Sequence, residues 1–257
     1  LKKMSENFKS IDILLTQFSF ASWVGNKNES QKLKQASEEK IKEMNHYIDC
    51  FKPKYTIPFA SFIWFCNDAN FYFNKYLNKI DEVHENINNQ KTKSIILYPG
   101  DKWNIFENYN SNRSIQLYLN DYKNISQKNL TKFKSFSFEE LEMSSQKFIQ
   151  NSFKKNNKIK LKLYKPFKTY VTDLKMFFEF SFKNGLIQKN KNESDADISM
   201  HSQNLNYCFN FEWGFDTILV AGTYQKPKRG NFKRFLEYQW VAHQNNHGNR
   251  IKLINII

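Results

Sequence analysis

Lys52-Pro53-Lys54-Tyr55-Thr56-Ile57-Pro58-Phe59-Ala60-Ser61-Phe62 decides how this chain is read. Pro53 ends whatever helix precedes it, because it lacks an amide hydrogen and clashes with the preceding turn. Tyr55 to Phe59 then reads as a short buried strand running into a loop. Upstream, Leu33, Ala36, Ile41, Met44, Ile48 and Phe51 recur at helical steps and predict the buried face of a helix from Ser30, its expected cap, to Phe51. Farther upstream, Ile11 to Gln17 is an apolar run of strand length. Downstream, a helix is expected around Lys79 to Asn89, a strand at Ser94 to Tyr98 and a turn at Pro99-Gly100-Asp101. Strand, helix, strand, helix, strand is the order of an α/β layer.

The remainder reads differently. Residues 111–157 look helical, with Ser137 capping a helix that runs to about Phe153, and Lys154 to Lys158 form a polar break. Ile159 to Tyr164 alternates apolar residues with Lys and predicts a strand. Tyr170 to Phe182 predicts another strand, bent at Asp173, and Asn184-Gly185 a hairpin turn. Ala196 to Met200 and Thr217 to Tyr224 are expected as strands, the latter closed by Gly222. Ser202 to Phe211 and Phe232 to Gln244 are expected as helices. This is an α+β pattern, and the expected organisation is 1–110, a helical connector 111–157, and a small α+β domain 158–257.

Composition narrows the function classes. Twenty-five Phe and thirteen Tyr in 257 residues argue for a packed core rather than disorder. The net charge of +14 comes mainly from Lys scattered along the chain, without a block of like charge, which argues against nucleic acid as a partner. The densest basic patch is Lys226, Lys228, Arg229, Lys233 and Arg234, flanked by Tyr224 and Phe232, a combination that suits stacking against bases, although a solvated loop is the expected reading. Cys50, Cys66 and Cys208 are odd in number and far apart, as suits a reducing compartment, and no apolar run approaches the roughly 18 residues of a membrane span. A cytoplasmic protein with no transmembrane segment is expected. The chain opens on Leu1 and nears a strand almost at once, so a fragment is expected.

Four stretches carry a family resemblance: Asp12 to Ser19, Lys52 to Phe62, Asn70-Phe71-Tyr72-Phe73-Asn74, and Leu97 to Trp103. In this order and spacing they resemble the late half of the metallo-β-lactamase fold, most of all its CMP-sialic acid hydroxylase-like branch, which likewise carries a Pro-Phe-Ala step. The resemblance implies a partial αββα layer and a metal-dependent hydrolase. It implies Zn²⁺ or another divalent metal in a full-length relative, held by His-x-His-x-Asp-His and activating a bound water. No His-x-His occurs in this chain, and Ala60 stands where a further metal-binding His is expected. No cofactor is therefore expected here, and the chain alone should be inactive by that route. The site-lining candidates are Gln17, which ends the first strand run, and Ser19, Ser61, Cys66, Asn67, Asp68, Asn70 and Asp101; Asp68 and Asp101 fall in loops after strands, the edge where α/β sheets bind ligands. The missing N-terminal half or a second chain is the expected partner.

Asp195 to Met200, Asn204-Leu205, Trp213 to Ile218 and Val220 to Tyr224 are similar to sterol-carrier-protein-2-like domains. Some metal-dependent alkylsulfatases join the same two units in this order. That resemblance implies an apolar-ligand or lipid-binding module, with Phe178, Phe180, Tyr207 and Phe211 lining its cavity. Finally, His243 and His247 stand four apart, one face of a helix, a spacing that suits a metal but lacks the Glu of a His-Glu-x-x-His pattern. Asn245, Asn246 and Gly248 predict an exposed helix end there. His46, His84 and His201 stand isolated.

Overall fold

The computed structural model describes residues 10–252. The chain is mixed α/β and forms two compact units, Leu1–Leu130 and Thr131–Ile257. Each has its own sheet.

In the first unit, β1 (Ile13–Thr16), β2 (Tyr55–Pro58) and β3 (Lys93–Ser94) make a parallel three-stranded sheet in that order. Between them lie α1 (Ser30–Phe51) and α2 (Ile80–Asn88), and α3 (Asn112–Ser126) follows. Helix α1 ends where Lys52 turns left-handed at φ 46° immediately before Pro53. Ser30 does not cap it; Glu29 precedes it, and the Glu29 carboxylate accepts from the Asn26 amide at 2.6 Å instead. Leu33, Met44 and Ile48 are buried as the periodicity predicts. β3 is shorter than expected, although the Ile95 amide still donates to the Thr56 carbonyl at 3.0 Å.

Register decides the two faces of this sheet. Leu14 pairs with Thr56 and Thr16 with Pro58; Leu14 packs on the cluster of Met44, Ile48, Ile80, Val83, Ile87 and Ile115 from the helices, with Phe18 and Ile96 from the segments after β1 and β3. Alternation sends Ile13, Leu15, Tyr55 and Ile57 to the opposite face. Leu15 there is 54% exposed, as is Phe59 just beyond β2.

In the second unit, β4 (Phe167–Val171), β5 (Met176–Ser181) and β6 (Gly185–Lys189) form an antiparallel meander. β7 (Ile198–Met200) pairs parallel with β4, and β8 (Tyr224–Gln225) antiparallel with β7, giving the order β6-β5-β4-β7-β8. The helices are α4 (Phe138–Lys155), α5 (Lys158–Lys162), α6 (Ser202–Asn210), α7 (Gly214–Ala221) and α8 (Phe232–Asn246). Ser137 caps α4 through a full capping box with Glu140. The stretch 111–157 is no separate connector: α3 belongs to the first unit and α4 to the second.

Three expected strands differ. Ile159 to Tyr164 is mostly α5, capped by Asn157, whose side chain accepts from the Lys160 amide. Only Leu161 is buried there, while Ile159 and Leu163 are exposed, because residues two apart diverge on a helix. Thr217 to Tyr224 is mostly α7, and Gly222, at φ 66°, is its left-handed cap rather than the end of a strand. Tyr170 to Phe182 is two strands joined at Thr172–Lys175.

Rings fill this unit. Phe180 lies 4.8 Å from Phe209 and 5.4 Å from Tyr238, centroid to centroid, and Phe167 lies 5.0 Å from Tyr238. Each such side chain contributes about 2–3 kcal/mol by leaving water.

Candidate functional site

The loops after β1 and β2 run close together, and the predicted site residues there are largely spent on holding them. Ser61 Oγ accepts from the Phe18 amide at 3.1 Å and donates to the Ser19 carbonyl at 3.2 Å. Ser19 Oγ accepts from the Asn78 amide at 3.2 Å, and Asn78 Nδ2 donates to the Phe18 carbonyl at 2.7 Å and the Ser37 carbonyl at 2.9 Å. Both serines are buried. Neither hydroxyl faces an imidazole, and neither is a nucleophile in this arrangement.

Asn67 and Asn70 cap each other's loop. The Asn67 amide donates to Asn70 Oδ1 at 3.2 Å, and Asn67 Oδ1 accepts from the Ala69 amide at 2.9 Å. Cys66, Asp68 and Gln17 are exposed. Ala60, where the resemblance implies a His, is exposed and holds φ 54°, the left-handed region that an alanine rarely adopts.

Asp101 is the anchor of its own turn. Oδ2 accepts from the Ser114 hydroxyl at 2.7 Å, the Tyr98 amide at 2.8 Å and the Tyr109 hydroxyl at 2.8 Å; Oδ1 accepts from Arg113 at 3.0 Å. The Ser114 hydroxyl, then the Tyr98 amide and the Tyr109 hydroxyl, hold its carboxyl far below the usual carboxylate range.

These residues do not fit a metal. Two of the donors are self-capped asparagines, Asp101 is saturated by neighbours, and Ala60 offers no ligand atom. Among the described residues no three His, Cys, Asp or Glu side chains converge to hold an ion. Beyond this loop a cleft of about 460 Å³ is lined by Trp64, Phe71, Tyr72 and Tyr76 with Lys27 and Lys75, a feature that strand-and-loop patterning does not predict.

In the second unit the four expected cavity residues do not share a space. Phe178 stacks on Phe138 at 5.4 Å, Phe180 sits in the ring core, and Tyr207 stacks on Phe211 at 4.3 Å at the surface. The rings flanking the basic patch are likewise engaged: Tyr224 stacks on Phe232 at 5.6 Å with Lys226 3.9 Å above Phe232, and Arg229 pairs with Asp195 at 3.1 Å.

Two Asp–His pairs emerge that local sequence does not signal. Asp173 accepts from the Ser202 amide at 2.8 Å and hydroxyl at 2.6 Å, with His201 Nε2 at 3.6 Å. Burial pushes the Asp173 carboxyl up, but the two bonds from Ser202 outweigh it and hold it low, and burial lowers His201. Ser202 is fully buried and also accepts from the Phe136 amide at 2.8 Å, so this trio fastens the start of α6. Asp216 and His243 meet at 2.9 Å across α7 and α8.

No protein-family model, curated protein or solved structure matches the chain.

Proposed function

We propose that residues 11–103 are the late half of a metallo-β-lactamase-type hydrolase fold, in a protein that does not hydrolyse by that route unless a complementary metal-bearing half joins it. The observation that carries this reading is the open face of the parallel sheet. Parallel sheets are almost always covered on both sides. Here α1 and α2 cover the Leu14 and Thr56 side; on the other side, among the described residues, Trp103 packs edge-on to Tyr55 at 4.8 Å, and Ile13, Leu15 and Ile57 stay half-buried or exposed. An αββα layer places a second sheet against such a face, and the occupant is that sheet, carried by the half with the His-x-His-x-Asp-His cluster. The order of the four motif stretches and the saturation of Ser19, Ser61 and Asp101 by structural bonds support the same reading.

The test combines activity with face exposure. The full chain is incubated with Zn²⁺ or Mn²⁺ and chromogenic ester, thioester and phosphodiester substrates; no turnover above buffer is expected. A hydrophobic reporter dye should bind it, and Leu15→Asp with Ile57→Asp should reduce that binding. Metal-dependent turnover by this chain alone, or dye binding that the double variant leaves unchanged, overturns the proposal.

A further inference from the structure

We propose that His243 and His247 form a surface site for a borderline divalent transition-metal ion: Zn²⁺, Ni²⁺ or Cu²⁺. The two imidazoles lie at the end of α8 with ring centroids 4.4 Å apart. Imidazole nitrogen suits these ions better than Mg²⁺ or Ca²⁺, which prefer oxygen.

Hydrogen bonding sets both rings in the form a metal needs. His243 Nδ1 lies 2.9 Å from Asp216 Oδ1, and a carboxylate only accepts, so Nδ1 carries the hydrogen. His247 Nδ1 lies 3.0 Å from the His243 carbonyl oxygen, also purely an acceptor. In the neutral rings, each Nε2 therefore bears the lone pair. Neither tautomer has to change for an ion to bind.

The support around the rings is also built. The Asp216–His243 contact is the carboxylate–imidazole arrangement that fixes a ligand's tautomer and orientation. Gln239 Nε2 donates to the same Asp216 oxygen at 2.9 Å, which fixes the carboxylate beside His243. Trp213 stands edge-on to both imidazoles, at 5.8 and 5.3 Å, and restricts their rotation. With two protein nitrogens, the ion keeps water in its remaining positions. That makes an open, exchangeable site rather than a closed structural one.

The full chain is titrated with Zn²⁺, Ni²⁺ and Cu²⁺ by calorimetry, without substrate. One ion per chain is expected. Binding should be lost in His243→Gln and in His247→Gln, weakened about tenfold or more in Asp216→Asn, and kept in His201→Gln. Because a variant can misfold, electron paramagnetic resonance of the Cu²⁺-loaded unmutated chain counts the coordinating imidazoles directly, and two are expected. Affinity unchanged in either His243→Gln or His247→Gln, fewer than two imidazoles on copper, or no saturable binding at millimolar metal overturns the site.

Discussion

Ser61 Oγ bridges the Phe18 amide and the Ser19 carbonyl, tying the loop after β2 to the loop after β1 across more than forty residues of sequence. Ser61→Ala removes the bridge and leaves a buried amide and carbonyl with no replacement. The expected cost is about 1–3 kcal/mol of stability. Urea unfolding of the variant reads it; a loss within about 0.5 kcal/mol of zero would mean the bridge is incidental.

Ala60 holds φ 54°, where an L-residue carries about 1–2 kcal/mol of strain. Glycine escapes that strain but has more freedom to lose on folding. Ala60→Gly should therefore be stabilising, by about 0.5–1 kcal/mol, in the same unfolding experiment. A destabilised variant would show that the alanine methyl is held by contacts that offset the backbone.

Asp101 ties pH to the first unit. Its carboxyl is held low by Ser114, Tyr98, Tyr109 and Arg113, so the folded form keeps its charge at pH values where the unfolded chain takes up a proton. The stability it supplies is present above the ordinary carboxylate range near pH 4 and is lost as the pH falls through the folded value. Asp101→Asn should lower the melting temperature at neutral pH and shrink the drop between neutral and about pH 3. An unchanged acid profile in the variant would remove Asp101 as a contributor.

Gly230 sits where a Cβ would meet the Ala196 carbonyl oxygen at 1.8 Å and the Asp197 Cα at 2.6 Å. Both are backbone atoms with no rotamer to yield. The adjacent Asn231 amide donates to Asp197 Oδ1 at 2.6 Å, and the other Asp197 oxygen accepts from the Lys168 amide at 2.8 Å, so displacing this loop also disturbs β4. Gly230→Ala should cost about 3 kcal/mol or more. Calorimetric melting measures it, and a near-native transition would contradict the close approach.

The parts legible in the sequence are those governed by neighbours along the chain. Leu33, Met44 and Ile48 recur at helical spacing and Pro53 stops the run, so α1 lies where the pattern places it. Ser137 and Glu140 announce their capping box. Short segments mislead because alternation over a few residues is weak evidence: Leu161 is buried on a helix just as it would be on a strand. Thr217, Ile218 and Val220 favour strands by their β-branching, and Gly222 ends either element, so packing between α6 and α8 decides for α7. The fate of Ser19 and Ser61 was illegible because their partners are distant backbone groups, whereas Asp101 combines the nearby Tyr98 amide of its own turn with Tyr109, Arg113 and Ser114 farther along the chain. Asp216 and His243 likewise meet only once α7 and α8 have packed.

The central position of β4 has a consequence for how the second unit assembles. One edge of β4 meets β5 after a four-residue turn, while the other waits for β7, whose first residue is Ile198. Loop closure favours the near partner, so the meander can zip while the parallel edge of β4 is still bare. Amides of β4 facing β5 should gain protection from exchange before those of β7 and β8 in a refolding pulse experiment. Simultaneous protection would mean that the sheet forms in one step. Until β7 docks, β4 is briefly an unguarded edge, and that interval is when a nascent chain of this protein is most exposed to pairing with another copy of itself.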